Sequence, residues 1–302
     1  MRSRLSALGR ELAGAKSGDV HAVHQARVAT RRLREALPML ASGSKARKLK
    51  RSARRLTRAL GPVRELDVVL QMLDELRAAG EVAPGAIATL RQMITEERRA
   101  LHSEAVELID RCDLSRMRKR AVAAVRRGPE VARGRVARDA GQTAAIWQRA
   151  ARRAERLRAA IDSAAGIYLP DRLHIVRIAV KKLRYTIEIA RQVSGTRSGR
   201  TASGQRSTRS IRGQLAALKR AQDLLGRMHD FEMLIARARA VQSSPAATNL
   251  RLSGDLDRLV RRLENECRQL HGHYMALRPQ LLDTCARVAA AADRASQRAS
   301  AA

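Results

Sequence analysis

Residues 23–40 read VHQARVATRRLREALPML, and residues 173–190 read LHIVRIAVKKLRYTIEIA. A shift of 150 positions lays His24 on His174, Arg27 on Arg177 and Arg31 on Lys181. Arg32 then falls on Lys182, Leu33 on Leu183 and Arg34 on Arg184. One or two such matches are ordinary coincidence; the whole set marks an internal repeat. Each residue of a helix advances by about 100°, so spacing converts to facing. His24, Arg27, Arg31 and Arg34 share roughly one quadrant, with Ala26, Ala29, Thr30, Leu33, Leu37 and Leu40 on the opposite side. The second copy repeats this, with His174, Arg177, Lys181 and Arg184 on one stripe and Val176, Ala179, Val180, Leu183, Ile187 and Ala190 on the other. The pattern describes a helix with a core face and a cationic face, written twice.

Each copy is followed by a second basic segment. Residues 54–68 read RRLTRALGPVRELDV and residues 218–233 read LKRAQDLLGRMHDFEM. Leu60-Gly61 and Leu225-Gly226 are expected to close a helix, since glycine enters the left-handed conformation without a Cβ penalty. The acids that follow, Glu65 and Asp67 in one copy and Asp230 and Glu232 in the other, are then expected in the first turn of the next helix, against its positive end. Before the first glycine, Leu49, Ala53, Leu56 and Leu60 form the apolar side, and Arg47, Arg51, Arg54 and Arg58 point away from it. In the second copy Arg209, Arg212, Lys219 and Arg220 are the corresponding candidates.

Working outward, apolar periodicity predicts helices at about 20–41, 45–60, 63–79, 85–110, 113–126 and 139–164, then 171–193, 206–225, 228–242 and 249–296 with a break. Residues 194–207 (SGTRSGRTASGQRS) are Gly/Ser/Arg-rich and read as a loop, and residues 126–143 as a weak helix or connector. Hydrophobic residues make up 45% of the 302 and aromatics only 2%. The core is therefore aliphatic, which suits helix-on-helix packing and an all-α fold. The repeat divides the chain into a first helical half of about 1–164 and a second of about 165–302.

Sixty-one Lys and Arg stand against twenty-nine Asp and Glu, a net charge of +32. Self-repulsion at that level opposes compaction, and a polyanion relieves it. The arrangement is more telling than the total. From Val20 to Leu60 there are twelve cations and one acid, Glu35; from Arg172 to Gln222 there are thirteen and one acid, Glu188. An ordinary solvated helix mixes signs, because i,i+4 ion pairs are favourable and like pairs are not. Salt bridges to acids elsewhere are the plain alternative, but too few acids exist to neutralise these faces. Arginine stays charged and presents a planar fork that suits phosphate oxygens, so many spaced guanidiniums match a ligand whose phosphate charge repeats along its length.

No catalytic residue is read here. The basic faces lack a nucleophile, paired carboxylates or a Gly-rich phosphate loop. His21 and His24, or His271 and His273, lack the further ligands that a metal needs. His24 and His174 either add a hydrogen bond beside a phosphate or cap the start of their helix. No metal and no cofactor are expected. Cys112, Cys267 and Cys285 are sparse and unpaired in sequence, which suits a reducing cytoplasm. The charged N-terminus lacks the apolar stretch of a signal peptide, and no run nears the ~20 apolar residues of a membrane span.

The pattern VH-x-x-RV-x-x-RRLR, its repeat LH-x-x-R-x-x-x-KKLRY, and the turn that follows Leu60-Gly61 and Leu225-Gly226 resemble the CHAD family, the conserved histidine α-helical domain. The resemblance covers nearly the whole chain. It implies one domain over 1–302, made of two pseudo-symmetric helical bundles in a two-lobed body with a central basic groove or pore. It also implies binding of inorganic polyphosphate and association with polyphosphate granules in bacteria. His24, Arg27, Arg31, Arg34 and their counterparts would line that groove, joined by the basic residues of the next helix in each half. The chain departs from the family pattern in having Arg64-Glu65 at the first turn and His229-Asp230 at the second, and Ala216 where a 165-position shift places Arg51.

Among rival readings, nucleic acid shares the charge requirement, but the chain lacks aromatic stacking platforms and a groove-reading motif. Membrane-surface binding needs a free apolar face, and here that face is committed to the core. The sequence thus points to a cytoplasmic, non-catalytic binder of polyphosphate, with nucleic acid as the alternative partner.

Overall fold

The computed structural model describes residues 2–41, 43–80, 82–126, 135–195, 202–244 and 249–301. Side chains are described within these except at 2–4, 40, 125–126, 135–140, 194–195 and 202–210. Among the described residues there are nine helices and no strands: α1 (Arg2–Lys16), α2 (Val20–Leu40), α3 (Gly43–Ala78), α4 (Pro84–Asp110), α5 (Leu114–Arg126), α6 (Arg135–Ser163), α7 (Pro170–Gly195), α8 (Ala202–Gln242) and α9 (Leu250–Ser300). The all-α class read from the sequence is the class of the structure.

The chain divides into two compact units that are not the two halves of the repeat. Unit 1 comprises Met1–Glu130 with Asp230–Glu264, and unit 2 comprises Val131–His229 with Asn265–Ala302. Helices α8 and α9 therefore each supply residues to both units.

In unit 1, α1 packs on α2, α2 on α3, and α3 on α4 and α5. The expected apolar stripe of α2 is buried at Ala26, Ala29, Thr30, Leu33 and Leu37. It meets Leu49, Ala53, Leu56, Leu60 and Val63 of α3 in one aliphatic cluster. Burying each such leucine contributes on the order of 1.5–3 kcal/mol. Helix α1 was not expected from the sequence, because its charges obscure a short period. Its Leu5, Leu8, Leu12 and Ala15 nonetheless fall three or four residues apart and join the same cluster.

The turn from α1 to α2 sets where the first cationic face begins. Gly18 takes φ +84°, which reverses the chain without a Cβ penalty. Asp19 then caps α2, its carboxylate accepting from the Ala22 N–H at 2.6 Å. So Asp19, not His24, caps this helix start. Helix α4 holds the turn from the side. Arg98 donates to the Gly18 carbonyl at 2.9 Å and to the buried Asp67 carboxylate at 2.6 Å, and His102 lies 2.9 Å from the Ala15 carbonyl.

Both expected glycine stops are corrected by the structure. Helix α3 runs through Gly61 and Pro62, and α8 runs through Gly226. The local cost is real: Pro62 has no N–H to give the Arg58 carbonyl, and an interior glycine costs up to about 1 kcal/mol. Burial of Leu60, Val63 and Leu66 outweighs it. Glu65, Asp67, Asp230 and Glu232 consequently lie inside helices rather than in first turns. Helix α9 likewise continues through Pro279 without the expected break.

Helix α6 starts at Arg135, so the C-terminal part of the expected connector is helical; its residues 127–134 lie outside the described ones. The expected loop at 194–207 narrows in the same way, with 194–195 and 202–207 helical and 196–201 outside the described residues. In unit 2, α6 packs on α7. Val176, Val180, Leu183, Ile187 and Ala190 of α7 are buried as expected, and Ala179 partly so. Arg153 of α6 donates to the Lys182 carbonyl at 2.6 Å and to the Thr186 hydroxyl at 2.5 Å, which fixes the α7 backbone beside its cationic face.

Candidate functional site

In unit 1 the cationic face of α2 is half-buried rather than fully solvated. His24, Arg27, Arg31 and Arg34 are all intermediate in exposure, whereas Arg32, one step round the helix, is exposed. The imidazole of His24 is held below its ordinary pKa, first by burial and then by the charges of Arg64, Arg31, Arg27 and His21. Those four residues act on His24 through their charge, Arg64 from α3 and the others from α2. The Arg27 guanidinium lies 3.5 Å from the Glu65 carboxylate, also on α3. A Cβ placed on buried Gly61 would stand 3.9 Å from Arg27 Nε, at ordinary contact distance, so the arginine passes alongside α3 at this glycine.

Arg47, Arg51, Arg54 and Arg58 are exposed along α3, as expected. They precede Glu65 by 18, 14, 11 and 7 residues, all within about 40° of its direction on the helix. The stripe thus runs along the side of α3 from which Glu65 reaches Arg27. One continuous cationic band leads from α3 into the His24 cluster.

Unit 2 builds the same kind of cluster with different parts. His174, Arg177, Lys181 and Arg184 of α7 are again intermediate in exposure. The His174 ring lies 5.0 Å from the ring of His229 on α8, centroid to centroid, with 48° between their planes. His229 is pushed down to about 4 by burial, and then by Arg177, His174 and Lys181. Arg184 pairs with Glu188 at 3.4 Å, and its guanidinium stands 5.1 Å from the centre of the Tyr185 ring.

Helix α8 does not repeat the α3 stripe. Arg212 is exposed, but Lys219 pairs with Asp223 at 3.1 Å, and Arg220 donates to Gln280 of α9 at 2.7 Å. A 165-position shift places Ala216 on Arg51 and Asp223 on Arg58. Two of the four α3 arginines therefore have no cationic counterpart. The Arg209 side chain lies outside the described ones.

Sequence reasoning missed Arg64 and His229 as cluster members, reading them as turn residues after Gly61 and Gly226. They occupy one repeat position, three residues past each glycine, and that equivalence was the available signal. Among the described residues no group of three or more His, Cys, Asp or Glu side chains is arranged to hold a metal ion.

An all-helical chain with two repeat-related clusters of histidine, arginine and lysine, each built where a repeat helix meets the long helix after it, defines the class. The CHAD domain family model matches residues 1–239, and the chain belongs to that family. No curated protein matches the sequence. Two solved structures share the fold. The CHAD domain from the plant Ricinus communis aligns with a TM-score of 0.64 at 20% identity, over 92% of this chain and 87% of that one. PptA from Streptomyces chartreusis aligns with a TM-score of 0.60 at 17% identity, over 91% of this chain and 95% of that one.

Proposed function

We propose that this protein binds inorganic polyphosphate through its two histidine–arginine clusters and does not turn the polymer over. The observation that carries this reading is the half-buried cationic stripe that α2 and α7 each present beside a histidine. His24 and His229 both sit where burial and neighbouring cations disfavour a further positive charge. Such a site carries an excess positive potential, and a phosphate chain supplies the compensating charge. The exposed α3 arginines extend that potential along a line, which favours a ligand with regularly repeated charge over a single small anion. Membership of the CHAD family supports the same ligand. On this reading the protein works in the cytoplasm at polyphosphate granules; among the described residues no helix is long and apolar enough to cross a membrane.

The test is a competition in which long-chain polyphosphate, DNA and RNA of matched total charge are titrated across salt concentrations. Polyphosphate is expected to win clearly at physiological salt. Equal or tighter binding of nucleic acid overturns the assignment and makes the protein a nucleic-acid binder, the alternative that shares its charge. Incubating the protein with polyphosphate and magnesium should leave the polymer length unchanged on a gel; shortening would overturn the non-catalytic part.

A further inference from the structure

At one repeat position the two clusters carry different chemistry. The position held by Arg64 on α3, whose charge acts on His24, is held on α8 by a second imidazole, His229, which lies against His174. We propose that the His174–His229 pair couples polyphosphate binding at the unit-2 cluster to proton uptake, so that this cluster holds the polymer more tightly as pH falls. The inference rests on the polyphosphate reading and adds regulation to it.

The geometry supplies the coupling. Two rings 5.0 Å apart cannot both become cationic beside Arg177 and Lys181 without strong repulsion. Helix α7 contributes His174, Arg177 and Lys181 around His229, and Arg227 and Asp230 flank it on α8. From α9, the Cys267 thiol lies 3.9 Å from the Met228 carbonyl, one residue away. From α6, Arg153 is directed to the Lys182 carbonyl and the Thr186 hydroxyl. The charges acting on His229 are thus mainly cations, and the ring is held neutral well below pH 7.

An arriving phosphate chain reverses the sign of the local potential and raises the pKa of His229. The bound state then carries more protons than the free state between the free and bound pKa values. Affinity therefore rises as pH falls through the bound pKa and levels off below the free value of about 4. Each proton taken up steepens the dependence by at most about tenfold per pH unit. In unit 1, His24 contributes its own uptake.

The experiment is calorimetric titration of the full chain with long-chain inorganic polyphosphate at about pH 6, near the ordinary histidine range. Two buffers of different ionisation enthalpy give the protons taken up per binding event. His229→Arg, His229→Gln and Arg64→Ala are compared with the parent, with helicity checked by circular dichroism. Both His229 variants are expected to take up fewer protons and to flatten the pH dependence between about pH 6 and 8 by roughly three- to tenfold. Arg64→Ala is expected to lose affinity yet keep the part of the proton uptake that the His229 variants remove. Unchanged proton uptake in both folded His229 variants overturns the coupling alone. Absence of any polyphosphate binding by the parent chain overturns the functional reading and the coupling with it.

Discussion

The two basic helices that follow the repeat motif hold equivalent places in the repeat and differ. Helix α3 keeps four exposed arginines in line with the His24 cluster, and its Glu65 reaches back to Arg27. Helix α8 has replaced two of those positions with Ala216 and Asp223, and Asp223 engages Lys219. Arg220 is directed to Gln280 of α9. The repeat-motif helices α2 and α7 show no such drift, keeping the same cationic stripe and the same buried stripe. The clusters at the histidines are thus the shared element, and the extended cationic track belongs to unit 1. Difference in the second helix, rather than in the motif, separates the two cationic surfaces.

The sharpest way to break this comparison is to remove one cluster at a time. Arg27→Ala with Arg31→Ala, and separately Arg177→Ala with Lys181→Ala, should each weaken polyphosphate binding by at least about 100-fold, since each charged hydrogen bond contributes about 1.5–3 kcal/mol. Equal losses, measured by titration with helicity retained, would mark the clusters as equivalent anchors. If one pair has no effect, only one cluster binds.

The second test addresses the tracks. Replacing Arg47, Arg51, Arg54 and Arg58 with Ala should cost roughly tenfold and lower the salt dependence of binding by about one unit per lost phosphate contact. Replacing Arg212 and Lys219 should do much less, because Lys219 already has Asp223. Similar salt slopes for the two variants would remove the distinction between α3 and α8.

A smaller effect is expected at Glu65. This carboxylate occupies Arg27 where a phosphate oxygen would compete for it, so Glu65→Gln should strengthen binding by up to about fivefold, the scale of a partly exposed ion pair. The effect should fade at high salt.

The smallest effect separates the two glycines. Space around Gly226 is open to 4 Å, so Gly226→Ala should stabilise α8 by about 0.5–1 kcal/mol in thermal or denaturant unfolding. At Gly61 the added methyl would lie against Arg27 within a buried crossing, so the same change should gain less.

What was legible in the sequence follows from how local each determinant is. The stripes of α2 and α7 depend on residues three and four apart, and every described position fell on its expected side except the partly exposed Ala179. The expected helix ends at Gly61 and Gly226 were not found, because the deciding energy is tertiary. Leu60, Val63 and Leu66 bury enough surface to carry α3 across a glycine and a proline that locally argue against it. That continuity is also what turns Arg64 and His229 from turn residues into cluster members. Arg47 to Arg58 were placed on the exposed side correctly, and Ala216 already marked the weaker track on α8, whereas the engagement of Arg220 by Gln280, sixty residues beyond it, left no local sign. The sharing of α8 and α9 between two units left no local mark.

That sharing has a consequence for synthesis. Residues 1–130 emerge from the ribosome first, yet unit 1 is not complete until Glu264 has followed them. Unit 2 waits for the C-terminal segment beyond Asn265. Unit 1 cannot close until most of unit 2 has been made, and unit 2 is completed after it, so the nascent chain holds its cationic helices incompletely packed until late in translation. A gene cut at the repeat boundary would encode two fragments that each lack part of a unit, although the duplication itself suggests a clean place to cut.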